Sequence, residues 1–315
     1  MGRARGANAL MALAFESTYG TTPASGFSKM SFVSSDLGTM QGLVADDQLG
    51  QGRDPLDPTQ DVIDNGGSLT LPVGVESFGL WLKLLMGAPT SAGAGPYTHT
   101  FESGASSLPS ASIEIGHPEV PFYEMHSGIM ANELTLEMQR GKGAKLTASM
   151  GLLGQGSATD TSSNAGTLTD VSKERFSHFN GSVSREDSTL GSVTMAKLTF
   201  SNQLEGIEAI RSDGKIGGFD PGVCAVTGEL RVRFDSTTLL DQANAGSSCD
   251  LDLLWEIDAN KSLAIAVPRI FIERPKLPVS GPNGIEQTYS FIAAKQSNGD
   301  PMMTAVLTNS RADYT

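Results

Sequence analysis

The chain has 315 residues, 35 of them Asp or Glu against 22 Lys or Arg, a net charge of −13 with only 18% of residues charged. A 39% hydrophobic share is enough for a packed core and excludes global disorder. No apolar run of about 18 residues is present to span a membrane, and the negative balance argues against clamping nucleic acid through its phosphates.

In chain order, the opening MGRARGANALMALAFESTYG faintly mimics a secretion signal, with Arg3 and Arg5 ahead of the apolar stretch 9–15. Asn8 interrupts that stretch and Glu16 stops it, so cytosolic synthesis is the expectation. Residues 45–67 read as a long irregular loop carrying Asp46, Asp47, Asp54, Asp57, Asp61 and Asp64. Loops this long inside a compact unit usually serve function or a partner. SLTLPV (68–73) alternates like a strand, and VESFGLWLKLLMG (75–87) carries a helical apolar stripe ending at Gly87. NELTLEM (132–138) and AKLTASMGLL (144–153) alternate on either side of the Arg140–Gly143 turn, which predicts a hairpin over 129–153. The stretch GLLGQGSATDTSSNAGTLTDVSK, rich in Gly, Ser and Thr, reads as a flexible connector.

Beyond it, GELRVRF (228–234), LDLLWEI (251–257), SLAIAVPRIFIE (262–273), GIEQTYSFIAA (284–294) and MTAVLTN (303–309) are predicted strands. STTLLDQANAG (236–246) is a second short helix, capped by Ser236 and stopped by Gly246. One-sided alternation of this kind marks antiparallel sheets with one face packed and one wet. Trp81 and Trp255 fall on apolar faces, so core packing is expected for both. Two cysteines, Cys224 and Cys249, make no disulfide framework.

The halves also resemble each other. The strand after Gly67, with its helix, matches the strand after Gly228 at a spacing of 161; GIMANELTLEM at 128 matches GIEQTYSFIAA at 284; Phe32 matches Phe200. The expected organisation is a first domain over 1–155, a linker over 156–175 and a second domain over 176–315.

No catalytic constellation is found. G-x-S-x-G, H-E-x-x-H, phosphate-loop and dinucleotide patterns are all missing. HPEVPFYEMH (117–126) places His117, Glu119, Glu124 and His126 close in sequence, but a Pro-kinked hairpin edge explains them more simply than a metal. The aspartates of 45–67 do not follow an EF-hand spacing, so no metal is assigned. Glu133 and Glu137, four apart on one strand face, stand about 13 Å apart, too far for a glycosidase pair. Neither a catalytic residue nor a cofactor is expected.

Taken in order, RGANALMALAFESTYGTTP, PYTHTFESG, SLPSASIEIG, GIMANELTLEM, VPRIFIERPKLPVSGPNGIEQTYSFIAAK and MMTAVLTNS resemble the tail-tube (major tail) proteins of long-tailed bacteriophages. The resemblance implies a mainly β fold of two tandem sandwich or barrel domains, each with one short helix, joining a continuous inner β-barrel on assembly. It implies rings stacked into the hollow conduit for DNA ejection in the virion tail, a helix outside the sheet, and a long loop reaching the next ring. Two domains per chain would close a ring with three copies. Six four-stranded units make about 24 strands and a backbone diameter of about 48 Å. Removing about 10 Å for side chains leaves room for a duplex about 20 Å across. The implied partners are further copies of the chain and the tape-measure, tail-terminator and distal tail proteins, with DNA passing unbound and no membrane. On this reading Glu133, Glu137, Glu229 and Glu286 line the channel, although Arg231 and Arg233 share a face with Glu229, and the aspartates of 45–67 mediate ring stacking. Rival readings are a secretion-system or contractile-particle inner tube, or another virion or adhesin β protein.

Overall fold

The computed structural model describes residues 2–139, 145–278, 281–296 and 299–314. The first half contains β1 (Leu10–Phe15), β2 (Ser28–Met30), β3 (Ser34–Ser35), β4 (Gly38–Val44), β5 (Thr59–Pro72), α1 (Phe78–Met86), β6 (Thr90–Ala92), β7 (Tyr97–Glu102), β8 (Ala111–His117), β9 (Phe122–Gln139), β10 (Thr147–Gly154), β11 (Gly156–Asp160) and β12 (Thr169–Asp170). The second contains β13 (Gly181–Arg185), β14 (Ser188–Thr189), β15 (Val193–Ser201), β16 (Glu205–Gly206), β17 (Phe219–Asp220), β18 (Ala225–Arg233), α2 (Thr238–Ala245), β19 (Cys249–Asp258), β20 (Lys261–Ile272), β21 (Glu286–Ala293) and β22 (Thr304–Asn309). Short 3₁₀ turns at Gly6–Asn8 and His178–Asn180 precede β1 and β13. The mainly β expectation holds, and among the described residues each half carries one α-helix.

One sheet runs through both halves in the order β4-β5-β10-β9-β15-β18-β21-β20. Its middle seam is β9 against β15, antiparallel from Gln139 opposite Met195 to Glu133 opposite Ser201. β9 and β20 are long because each serves two sheets. The later part of β9 pairs with β10 and β15, and its earlier part with β8 and β11. The switch falls near Gly128, whose φ is 65° and where a Cβ would stand 2.8 Å from the Gln155 side chain, so only glycine fits. β20 likewise ends on β21 and begins between β19 and β22. Pro268 lies between these two pairing regions, a place where a missing N–H is tolerated.

The halves therefore share one element order. A hairpin (β4-β5, β15-β18) leads to a helix, then to a second hairpin (β8-β9, β19-β20), and the next strand (β10, β21) inserts between the two hairpins. β1 and β13 flank β8 and β19, and β11 and β22 flank β9 and β20. This order pairs β9 with β20 and β10 with β21, so the sequence match of residue 128 to residue 284 is one strand out of step. The spacing of 161 at Gly67 and Gly228 does hold: Gly67 lies opposite Leu152 as Gly228 lies opposite Phe291. Phe32 and Phe200 do not correspond, because Phe200 lies on β15 while Phe32 precedes β3.

Two segments differ from expectation. The stretch 156–175 is not an unpaired connector: β11 pairs with β9, β12 pairs in parallel with β2, and Ala165 is buried. Glu114 holds it by accepting from the Ser163 hydroxyl at 2.5 Å and the Asn164 N–H at 2.7 Å. The stretch 9–15 is β1, buried between β2 and β8. The turn at Arg140–Gly143 lies outside the described residues, although β9 and β10 pair as the predicted hairpin requires.

The halves share one hydrophobic cluster, from Leu13 and Trp81 through Leu136 and Leu198 to Trp255 and Phe291. α1 is buried nearly all round. Tyr314 lies so close over it that a Cβ on Gly79 would sit 2.3 Å from the Tyr314 ring. Buried Asn309 donates to the Val75 carbonyl and the Tyr314 hydroxyl, both at 2.8 Å. α2 buries only Leu239 and Ala243; its N-cap is Thr237, one residue beyond Ser236, whose hydroxyl accepts from the Thr238 N–H. β22 pairs with β20 on one edge and with β7 of the first half on the other.

Candidate assembly surfaces

The through-sheet has one packed face and one polar face, as alternation dictates. Leu134, Leu136, Leu198, Phe200, Leu230 and Phe291 point into the core. The opposite face carries the register row Thr70–Ser149–Thr135–Thr199–Thr227 across five strands and both halves. The Thr135 and Thr199 hydroxyls meet at 3.0 Å across the seam.

All four sequence-picked glutamates stand on this polar face. Glu133 and Glu137 lie on β9, Glu229 on β18 and Glu286 on β21. The sequence reading missed Lys197, which lies opposite Glu137 on one side and Glu229 on the other. Arg231 shares the face, and Arg233 pairs with Glu286 at 3.3 Å. Adding Glu273 and Arg269 at the end of β20 gives five carboxylates against four cations from β9 to β20, and Asp64 joins them on β5. The face from β9 to β20 is polar and nearly neutral, and most of the overall −13 resides elsewhere.

Much of it resides on the β4–β5 arm. Asp46, Asp47, Asp54 and Asp57 lie in the irregular tip; Asp46 is half-buried and the other three are exposed. Asp61 and Asp64 do not belong to a loop, because β5 begins at Thr59; Asp64 lies opposite Met40 within the hairpin. The arm is also apolar: Met40 is 73% exposed, Leu43 69% and Leu49 94%, with Val44 and Val62 exposed as well. Both faces of its outer part reach solvent, so these side chains stay largely uncovered by the described residues. Its base is tied to the second half by the Ile63 N–H, which donates to the Gly214 carbonyl at 2.9 Å.

Among the described residues the through-sheet has an open edge at each end. β4 pairs only with β5, and β20 beyond Ile270 has β21 on one side and no strand on the other.

The 117–126 residues do not converge. His117 stacks on Phe122, and Glu119 accepts from the Asn8 side chain at 2.7 Å. His126 is fully buried; its Nδ1–H donates to Asn65 Oδ1 at 2.9 Å, while Nε2 has no partner and lies 3.9 Å from Glu124. Burial lowers the His126 pKa, and Glu124 partly offsets this. Among the described residues no group of three or more His, Cys, Asp or Glu is placed to hold a metal ion. Likewise no helix among them is long and apolar enough to cross a membrane.

The sequence model of a family described as phage tail tube protein matches residues 6–293. No curated protein matches the chain.

Proposed function

Because the chain belongs to the phage tail tube protein family, a family of structural proteins of the virion tail, we propose that it polymerises into stacked rings whose hollow interior conducts DNA during ejection. The observation that supports this most directly is the eight-stranded sheet with an open strand at each end. Its seam β9–β15 is the kind of join a second copy would make, with β4 of one copy added to the open end of β20 of another. Backbone hydrogen bonding between edges drives such addition, and closure into a barrel removes the exposed edges. Each chain holds two equivalent four-stranded units, 1–155 and 176–315, so three copies complete the 24 strands that fit a duplex.

The polar face then lines the channel, with Glu133, Glu137, Glu229 and Glu286 and the Ser/Thr row exposed to DNA. A near-neutral hydroxyl wall neutralises few phosphates and so retains DNA weakly. The β4–β5 arm, with Asp46, Asp47, Asp54, Asp57, Asp61 and Asp64 and its apolar side chains, contacts the next ring. The tape-measure, tail-terminator and distal tail proteins are the remaining partners. Negative-stain microscopy of the purified protein tests the reading: rings or tubes with a central hole are expected, and particles that stay monomeric at every concentration and salt would overturn it.

A further inference from the structure

The correspondence between the halves extends upstream of the strands. The 3₁₀ turn Gly6–Asn8 has Arg5 as its N-cap, and His178–Asn180 has Ser177, a constant spacing of 172. What precedes the two turns behaves differently. Residues 174–177 lie across the first half. The Phe176 N–H donates to the Val73 carbonyl at 2.9 Å, the Leu146 N–H to the Phe176 carbonyl at 3.0 Å, and the Val75 N–H to the Glu174 carbonyl at 2.9 Å. Arg175 bridges to Gly74 and Ser177 to Lys145, and Phe176 is fully buried. The corresponding Arg3, Ala4 and Arg5 are exposed; the one ion pair among them, Arg5 to Glu119, is 3.9 Å long.

The second half contains the counterpart of the place that Phe176 occupies. There the Phe234 N–H donates to the Ile285 carbonyl at 3.0 Å, as the Val73 N–H donates to that of Leu146 at 3.2 Å. In the first half the Val73 carbonyl and Leu146 N–H then bond Phe176. In the second, the Phe234 carbonyl and Ile285 N–H have no backbone partner among the described residues. Near them a cavity of about 310 Å³ opens between Val232, Asp235 and Tyr289 on one side and Arg185, Glu186 and Leu190 on the other, and the buried Tyr289 hydroxyl has no partner.

We propose that this place is filled by Arg3–Arg5 of a second copy, laid down as a short added strand with Arg3 opposite Asp235 and Arg5 opposite Gly284. The spacings of 172 and 161 map the Arg175–Gly74 bridge onto Arg3 and Asp235, placing a cation across from a carboxylate. Glu286 adds negative charge, although Arg233 already pairs with it and with the Gly284 carbonyl. Ala4 is smaller than Phe176, so this contact depends on backbone bonds and charge more than on buried area. It rests on the ring reading, in which the next copy's first half stands to this second half as the second half stands to the first. The N-terminal segment would then be a clasp across each subunit junction, as 174–177 clasps the join inside the chain.

Variants of the full chain with one introduced cysteine, in a Cys224→Ser background that leaves only the buried Cys249, test this. Arg3→Cys and Asp235→Cys are purified separately, mixed and mildly oxidised. Residues opposite each other on adjacent strands bring Cβ atoms to about 4.5–5.5 Å, close to disulfide reach. A disulfide-linked dimer formed only in the mixture is expected, and Arg5→Cys with Gly284→Cys should behave alike if either member of the first pair is poorly folded. Rings on the grid with no cross-link from either pair would overturn the clasp and leave the tube reading standing. Absence of any assembly by the unmodified protein would overturn both. A charge swap supplies a second readout: Arg3→Asp should weaken assembly, and adding Asp235→Arg should restore it.

Discussion

Thr135 on β9 and Thr199 on β15 share a hydroxyl hydrogen bond of 3.0 Å although they belong to different halves of the chain. Beneath them, Leu136 and Leu198 lie opposite each other in one core. The halves should therefore unfold together. Trp81 reports on the first half and Trp255 on the second, and both are buried. Denaturation curves of Trp81→Phe and Trp255→Phe variants, each followed by the remaining tryptophan, should share one steepness and differ only by a small common shift. Transitions that separate widely would refute a shared core. Leu198→Ala should shift the whole transition by about 2–5 kcal/mol.

Glu16 accepts four hydrogen bonds, from the Gly20 and Gly128 N–H groups at 2.8 Å and the Ser110 and Ser112 hydroxyls at 2.7 Å. It fixes the bend of β9 to the end of β1. Bonds to a charged acceptor are worth about 1.5–3 kcal/mol each and leave costly orphans when lost. Glu16→Ala should cost at least about 3 kcal/mol by urea titration, and Glu16→Gln, which keeps part of the acceptor set, should cost less.

Buried His126 makes stability depend on pH. With its folded-state pKa below the ordinary value, the unfolded chain binds a proton that the folded chain refuses. Its contribution is fully present above about pH 6.5 and is lost as pH falls toward the folded value. Urea midpoints measured from pH 7.5 to 5.5 should fall for the native protein and fall less for His126→Gln.

Charge reversal on the polar face should separate assembly from transport. Glu133→Lys with Glu137→Lys puts a like charge opposite Lys197 and makes the face basic. Tubes should still form, because the core face is untouched, but DNA passage should slow and recover with added salt, as phosphate attraction is screened. Unchanged ejection kinetics at low salt would remove these glutamates from the channel wall.

Replacing residues 45–58 with a short Gly-Ser turn keeps the β4–β5 pairing while removing the acidic tip. Soluble subunits or single rings that do not stack are expected in sedimentation and microscopy. Full-length tubes would relocate the ring contact.

The strands and both helices were legible because alternation and helical stripes report burial directly: Leu134, Leu136 and Met138 point inward, as their spacing says. β1 was not, because LMALAF is buried on both faces and lacks alternation. β11 hides in a stretch whose Ser, Thr and Gly residues resemble a linker, and its pairing with β9 is a long-range contact that no local pattern records. The glutamates could be assigned to one face by period two. That Lys197 falls between two of them depended on the register of β9 against β15, which only the three-dimensional structure supplies. The end of the acidic loop was misplaced because Gln60–Asp64 sets two adjacent apolar residues, Val62 and Ile63, between aspartates, so no alternation marks it as a strand.

The last strand, β22, lies between β20 and β7, and Tyr314 caps α1 near the start of the fold. A ribosome must therefore make residues 304–314 before the earliest-made helix can be sealed. A nascent chain that stops short of them leaves β7 and α1 without these partners, so the core of the first half closes only after they emerge.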